Sequence, residues 1–262
     1  MTRGFDLWAT QFDGWRGPAK PEEIDALHEI LGESLTLLDV GGGTGRYADP
    51  LARLGHHPTI FDRSGPMMWE ARKKRLDRLV RGDASRLPMR DGSFDAVLFV
   101  EMLHLVPDWV GAVHEMGRVG SDKVVAVIRE REPDHRRILL ETRAEMGMPT
   151  GLLDEGVRAL VKMIRPKEVR TAWTTRTKVD LVEPMRRQEV QAGNLGEPRF
   201  PDVVQAAIAK VVEAYGSTKV EQVETGKVAL WDPASFRSFT PSENVSCSDR
   251  SGAGSSTSDR SR

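Results

Sequence analysis

Cysteine is nearly missing from this chain: Cys247 is the only one. A single thiol excludes an internal disulfide framework and any cysteine-based zinc site. Long apolar runs are missing too, so no segment is suited to span a bilayer. The opening "MTRGFDLWATQFDGW" lacks the apolar stretch of a secretory signal. Neither sign of charge dominates, with 38 Lys and Arg against 39 Asp and Glu. A formal net charge of -1 leaves no global footprint for nucleic acid or an anionic membrane. These absences together predict a cytoplasmic protein. What is present suits a globular fold: 262 residues, 39% of them hydrophobic, are ample for a sizeable core. That length fits one large domain, or one domain with an elaboration.

The first half alternates between two periodicities. "PAKPEEIDALHEILGE" reads as a helix opened by Pro21, with Ile24, Leu27 and Leu31 on one face. "LTLLDV" follows as a buried strand, and a helix from Tyr47 comes after the glycines. "PTIFD" is a second strand. "SGPMMWEARKKRL" is a helix with Ser64 as N-cap and Pro66 in its first turn. "DRLVRGDA", "FDAVLFV" and "KVVAVI" supply three more strands, with a helix capped by Asp108 before the last. This alternation predicts an α/β fold, a Rossmann-like, doubly wound, mostly parallel sheet.

From about residue 131 the alternation stops. Residues 131–218 read as a mainly helical insertion, although "EVRTAWTTRT" looks extended. "KVEQVETGKVALW" closes the sheet within 219–234, as a hairpin about Thr225-Gly226 or as one strand. Seven strands result. The serine-rich stretch 235–262 cannot offset its ordering entropy by burial and is expected to be disordered. The organisation is thus an N-terminal lid and helix (1–34), a core (35–130), the insertion (131–218), the closing strand or strands (219–234) and the tail.

Chemistry concentrates at "LLDVGGGTGRY", with four glycines in five positions between a strand and a helix. Such a turn offers backbone N–H groups and a helix dipole to an anion. Gly43, Gly45 and Ala48 match the dinucleotide fingerprint, and Asp62 lies 19 residues past Gly43, where an acid binds ribose hydroxyls. Those features fit NAD and S-adenosylmethionine equally. Asp39 separates them: a carboxylate on the strand two residues before the glycines suits the α-ammonium of an amino-acid cofactor and has no role beside a pyrophosphate. Asp83, after the third strand, is placed to accept from an adenine amino group. The loop "VEMLHLVPDW" lies at the carboxyl edge, where open α/β sheets hold ligands. There His104 is the best-placed general base, if the acceptor must lose a proton. His56-His57 reads as a surface turn.

The run "LLDVGGGTGRY…IFDRSGPMM…GDASRLPMRDGSFDAVLFVEMLHLVPDW…EMGRV" resembles the class I S-adenosylmethionine-dependent methyltransferases, methyltransferase type 11 group, and is similar to quinone-biosynthesis C-methyltransferases. The resemblance covers roughly 35–130. It implies that Asp39, Gly41 and Gly43 hold the methionine end of S-adenosyl-L-methionine, and that Asp62 takes the ribose hydroxyls. Arg63 and Met67 would line the adenosine, Asp83 and Ala84 would meet the adenine, and Glu101 would lie near the methionyl group. "FDLWATQFDGW" resembles the family's aromatic lead-in, with Phe12 and Trp15 as lid residues. The sequence departs from the family where a second histidine often follows the first, since Leu105 follows His104. The implied function is methyl transfer to a small-molecule acceptor by in-line displacement, with 131–218 forming the acceptor pocket and no metal site. The alternatives are a nicotinamide-dependent oxidoreductase, a non-catalytic S-adenosylmethionine-binding protein and a methyltransferase acting on RNA or protein.

Overall fold

The computed structural model describes residues 3–148, 156–186 and 200–241. Two helices lead in, α1 (Arg3–Arg16) and α2 (Pro21–Leu31). Strand and helix then alternate: β1 (Thr36–Val40), α3 (Ala48–Arg53), β2 (His57–Asp62), α4 (Gly65–Lys73), β3 (Leu79–Arg81), β4 (Phe94–Val100), α5 (Trp109–Val119) and β5 (Gly120–Glu132). The remainder is α6 (His135–Glu145), α7 (Val157–Met163), β6 (Glu168–Asp180), α8 (Phe200–Tyr215), β7 (Lys219–Trp231) and α9 (Pro233–Arg237). Local signals start the helices as read. Ser64 accepts from the Met67 N–H at 3.3 Å, and Asp108 accepts from the Gly111 N–H at 2.9 Å.

One seven-stranded sheet results, in the order β3-β2-β1-β4-β5-β7-β6. β3, β2, β1, β4 and β5 are parallel, while β7 runs antiparallel between β5 and β6. The order reverses beside β1, so the carboxyl ends of β1 and β4 open a crevice at the switch point. β7 is one strand with no hairpin. Gly226 sits mid-strand because the Trp173 indole lies across it, where a Cβ would fall 2.2 Å from Nε1.

Apolar side chains cover both faces. Val97, Phe99, Met116, Val124 and Trp231 pack under α5 and α9, whereas Leu27, Leu31, Leu37, Leu51, Leu98 and Val125 pack under α2 and α3. Beyond the sheet, Leu139, Met185, Phe200, Val204 and Val211 make a separate small core. The stretch 131–218 is therefore divided. Its middle is an edge strand, and α6 and α8 pack on each other to either side of it in sequence.

Two expectations need correction. Order does not stop at residue 235: Phe236 is fully buried, 5.6 Å from the Trp231 ring, and the Phe239 carbonyl lies 2.6 Å from His114 Nε2. Two phenylalanines with a pocket to fill outweigh the serine-rich composition around them. The rest of the expected tail, 242–262, lies outside the described residues. His56 is no surface residue either: it is buried, with Nε2 2.9 Å from Nδ1 of His28. His57 alone faces solvent.

Candidate functional site

β1 delivers Asp39 to the crevice, one residue before the strand ends. The carboxyl is buried, and its Oδ2 has no hydrogen-bond partner among the described residues. Burial, reinforced by the nearby Asp62, pushes its pKa up to about 7. Gly42 curls back over it, with room for no side chain, because a Cβ would lie 2.7 Å from Asp39 Cγ. Gly43 has φ +55, and the space a Cβ would enter is bounded only by Met67 Cε at 3.5 Å and Asp62 Oδ2 at 3.8 Å. A side chain there would be strained and would fill the crevice.

The loop does not act as an anion cradle. The Gly41 N–H donates to the Phe61 carbonyl at 2.7 Å, Gly43 to Asp62 Oδ2 at 2.9 Å and Gly45 to the Gly42 carbonyl at 2.8 Å. Three donors that could hold a pyrophosphate are already engaged, and the buried Asp39 and half-buried Asp62 carboxyls stand beside them. The fingerprint spacing at Gly43, Gly45 and Ala48 thus serves packing: Gly45 is where Leu76 and Ile60 press in, within 2.4 and 3.0 Å of a would-be Cβ.

β2 ends in Asp62, whose Oδ1 accepts from the Ser64 N–H at 2.7 Å. Burial raises its pKa, against the lowering effect of these backbone donors. Met67 is buried in the first turn of α4 beside Gly43. Arg63 is exposed and close enough to Asp83 to help lower its pKa, an effect led by the Ser85 backbone N–H. Asp83 Oδ1 accepts from Ser85 N–H and Oγ, at 3.0 and 2.8 Å, as a turn aspartate does. Its second oxygen faces solvent beside the buried Ala84. Asp39, Gly41, Gly43, Asp62 and Met67 therefore converge directly, while Arg63, Asp83 and Ala84 lie at the adjoining end of the same edge.

Helix α1 is fastened over this edge by polar contacts. Asp6 holds the Ser64 hydroxyl, Asp13 accepts from Thr44 Oγ1 and pairs with Lys74, and Arg16 pairs with Glu101. Arg46 adds bonds to the Gly17 and Pro18 carbonyls at 2.8 and 3.0 Å. Phe12 is half-buried, with the Arg16 guanidinium 5.9 Å from its ring centroid. The side chain of Trp15 lies outside those described.

Glu101 follows β4 with φ +47, in the sparsely occupied left-handed region. Burial opposes its ionisation, but Arg16 and then Arg129 hold its pKa down. Arg129 is itself fixed from behind. Its Nε and Nη2 each lie 3.0 Å from the fully buried Glu23 carboxylate, which also accepts from Tyr47 at 2.9 Å and Trp173 at 3.1 Å. A relay thus runs Glu23–Arg129–Glu101–Arg16, with Arg129 Nη1 3.9 Å from Glu101 Oε1. His104 sits in a short 3-10 turn (Leu103–Leu105), half-buried against Gly156. Burial, with help from Arg136, lowers its pKa, so its imidazole is neutral at physiological pH.

Residues 38–128 match the family described as "Methyltransferase domain". That stretch, about a third of the chain, is what the chain shares with the family. Of its relatives, a demethylmenaquinone methyltransferase from Beutenbergia cavernae is 41% identical over 107 residues, covering 39% of this chain and 44% of that protein. A ubiquinone biosynthesis O-methyltransferase from Alkalilimnicola ehrlichii is 28% identical over 182 residues, covering 63% and 72%. The chain thus spans less than half the length of the Beutenbergia relative. The YcgJ protein of Bacillus subtilis superposes with TM-score 0.53 at 13% identity, covering 81% of this chain and 99% of the other. That likeness concerns the fold alone.

Outside the matched residues, the structure disperses one group that sequence put together. Of Met146, Met148, Met163, Ile164 and Trp173, the first two join the α6/α8 core. Met163 and Ile164 join the sheet core, and Trp173 bonds Glu23. Arg16, Arg129 and Glu23 are the residues that sequence reasoning missed. Glu23 reads as an ordinary first-turn acid, and no local signal marks it as buried. Among the described residues no group of three or more His, Cys, Asp or Glu side chains is arranged to hold a metal, and no helix is long and apolar enough to cross a membrane.

Proposed function

We propose that this protein is an S-adenosylmethionine-dependent methyltransferase that works in the cytoplasm on a small-molecule acceptor. One observation carries the reading: a buried, unpartnered Asp39 oxygen beside a glycine loop whose donors are already engaged. Such a site lacks a cation and repels a pyrophosphate, so it favours the α-ammonium of an amino-acid cofactor over a dinucleotide. Asp62 is set to take the ribose hydroxyls, with Met67 under the sugar, Arg63 and Asp83 at the adenine end and Ala84 as apolar floor. Gly43 leaves the backbone bare where the methionine portion would lie, and Gly41, closely packed by Met102, turns the chain there. The names of the relatives, both from quinone biosynthesis, support a small aromatic acceptor.

The bound cofactor supplies an electrophilic methyl group on sulfur, so the protein's task is alignment rather than activation. Its residues would hold the acceptor in line at about 3–3.5 Å and keep water out beneath α1. Glu101, anchored through Arg129, fixes the floor of that space. His104, neutral and beside it, is the residue to receive a proton where the acceptor must lose one. Calorimetric titration with S-adenosylmethionine and with NADH tests the reading. Saturable binding of the first alone is expected, together with transfer of labelled methyl to a small-molecule extract. Binding of NADH alone would sink it.

A further inference from the structure

At the amino ends of β1 and β2, on the edge of the sheet opposite the crevice, two histidines meet. His56, the residue before β2, is 2% exposed, and its N–H donates to the Leu51 carbonyl at 3.1 Å. Its ring stands edge-on to that of His28 in the last turn of α2, with centroids 5.1 Å apart. The Leu35 N–H, at the entry to β1, lies 3.4 Å from His56 Nδ1. A backbone N–H can only donate, so Nδ1 is bare and the ring hydrogen sits on Nε2. Nε2 then donates to His28 Nδ1 at 2.9 Å, which leaves the His28 hydrogen on its own Nε2. One backbone donor thereby sets the tautomers of both rings, and each ring uses its single bare nitrogen as an acceptor.

We propose that His28 and His56 form a clasp between α2 and β2 that holds only while both rings are neutral, so that acid unfastens it. A proton added to His56 Nδ1 would face the Leu35 N–H, and one added to His28 Nδ1 would face the His56 Nε2–H. Either replaces a hydrogen bond with two opposed donors in a buried place. The charged neighbours do not offset this. His57 follows in β2, Glu33 lies in the turn before β1, and Asp49 and Arg53 of α3 pair with each other at 2.7 Å. On α2, Asp25 and Glu29 flank His28, and Glu29 pairs with Arg170. Among the described residues the one histidine paired with a carboxylate is His135. Burial first, then His28 and His57, holds the His56 pKa below its ordinary 6.5. The unfolded chain therefore takes the proton more readily, and the clasp's contribution is full above pH 6.5 and is lost as pH falls below it. α2 also carries Glu23, the carboxylate behind Arg129, so the clasp steadies the helix on which the arginine relay rests.

The test uses the full-length protein. Long-range ¹H–¹⁵N spectra of the histidine rings at neutral pH should show both His28 and His56 with the hydrogen on Nε2. On acidification to about pH 6, below the ordinary histidine pKa, the folded His56 ring should keep its neutral pattern while histidines of the urea-unfolded chain are mostly protonated. Urea unfolding is then followed from neutral pH down to about pH 5 in the parent and in His56→Gln, whose amide nitrogen can still donate to His28 but cannot titrate. Whatever the variant's absolute stability, the parent's unfolding equilibrium constant should rise relative to it, by up to about tenfold per pH unit below 6.5, the slope of one excluded proton. A His56 ring that carries its hydrogen on Nδ1, or that protonates in the folded state as readily as in the unfolded chain, overturns the proposal without recourse to the variant. So does a ratio of the two unfolding constants that does not change with pH.

Discussion

The two halves of the crevice solve opposite electrostatic problems. At the ends of β1 and β2 the buried Asp39 and half-buried Asp62 carboxyls lie near each other, and both have raised pKa values. At the ends of β4 and β5 the Glu101 carboxyl is held below its ordinary range by Arg16 and then Arg129. On the proposed function the first half is completed by the cofactor's positive ammonium group, whereas the second is balanced by the protein's own ion pairs. A site so divided suits a bisubstrate reaction between a cationic donor and an electron-rich acceptor. The division also separates what each half needs from the scaffold. Backbone curvature builds the first, whereas the second depends on side chains from α1, α2 and β5 that are remote in sequence.

Breaking the seam should do the most damage. Glu23→Ala leaves Arg129 buried without its partner and removes the acceptor for Tyr47 and Trp173. A loss of about 3–5 kcal/mol in urea unfolding is expected, and Glu23→Gln should recover part of it through the remaining hydrogen bonds. Asp62→Ala attacks only the acidic half. It should weaken S-adenosylmethionine binding about 100-fold, the scale of two lost charge-assisted hydrogen bonds, with the urea-unfolding midpoint little changed. Arg16→Ala is gentler, because its pair with Glu101 is partly exposed. It should cost no more than about 1 kcal/mol of stability, yet speed cofactor release several-fold in stopped-flow displacement by loosening α1. If it instead abolished folding, the latch role of α1 would be wrong.

Most of the acidic half is legible in the sequence, because it is local. Strand, glycine turn and helix follow one another, and Asp39, Asp62 and the Ser64 cap are fixed by their distance from strand ends. The sheet was legible too, through its alternation, although Thr225-Gly226 left a hairpin and a single strand equally open and the structure has the single strand. The glycines were the misleading part. They read as an anion cradle, but close packing by Met102 explains Gly41, Asp39 explains Gly42, and Leu76 with Ile60 explains Gly45. The basic half was largely illegible. Glu23 and Arg129 are 106 residues apart, and Arg16 and Glu101 are 85 apart, so no spacing rule could join them. Phe236 was lost for another reason: a composition argument averages over a window, and two buried aromatic rings decided the matter.

Asp39 provides the most direct test. Its raised pKa means that it contributes stability below its ordinary value near 3.8, stability that is lost as pH rises through about 7. Binding of an ammonium group requires the carboxylate, so below pH 7 binding must expel a proton. Calorimetry of S-adenosylmethionine binding in buffers of different ionisation enthalpy reads that proton. The account predicts release of about 0.9 proton at pH 6, the fraction protonated for a pKa near 7, fading above pH 8, with affinity rising over the same interval. Asp39→Asn should remove the release. Binding without proton release at pH 6, or with release that persists in Asp39→Asn, would contradict the assignment of Asp39 to the cofactor's ammonium group.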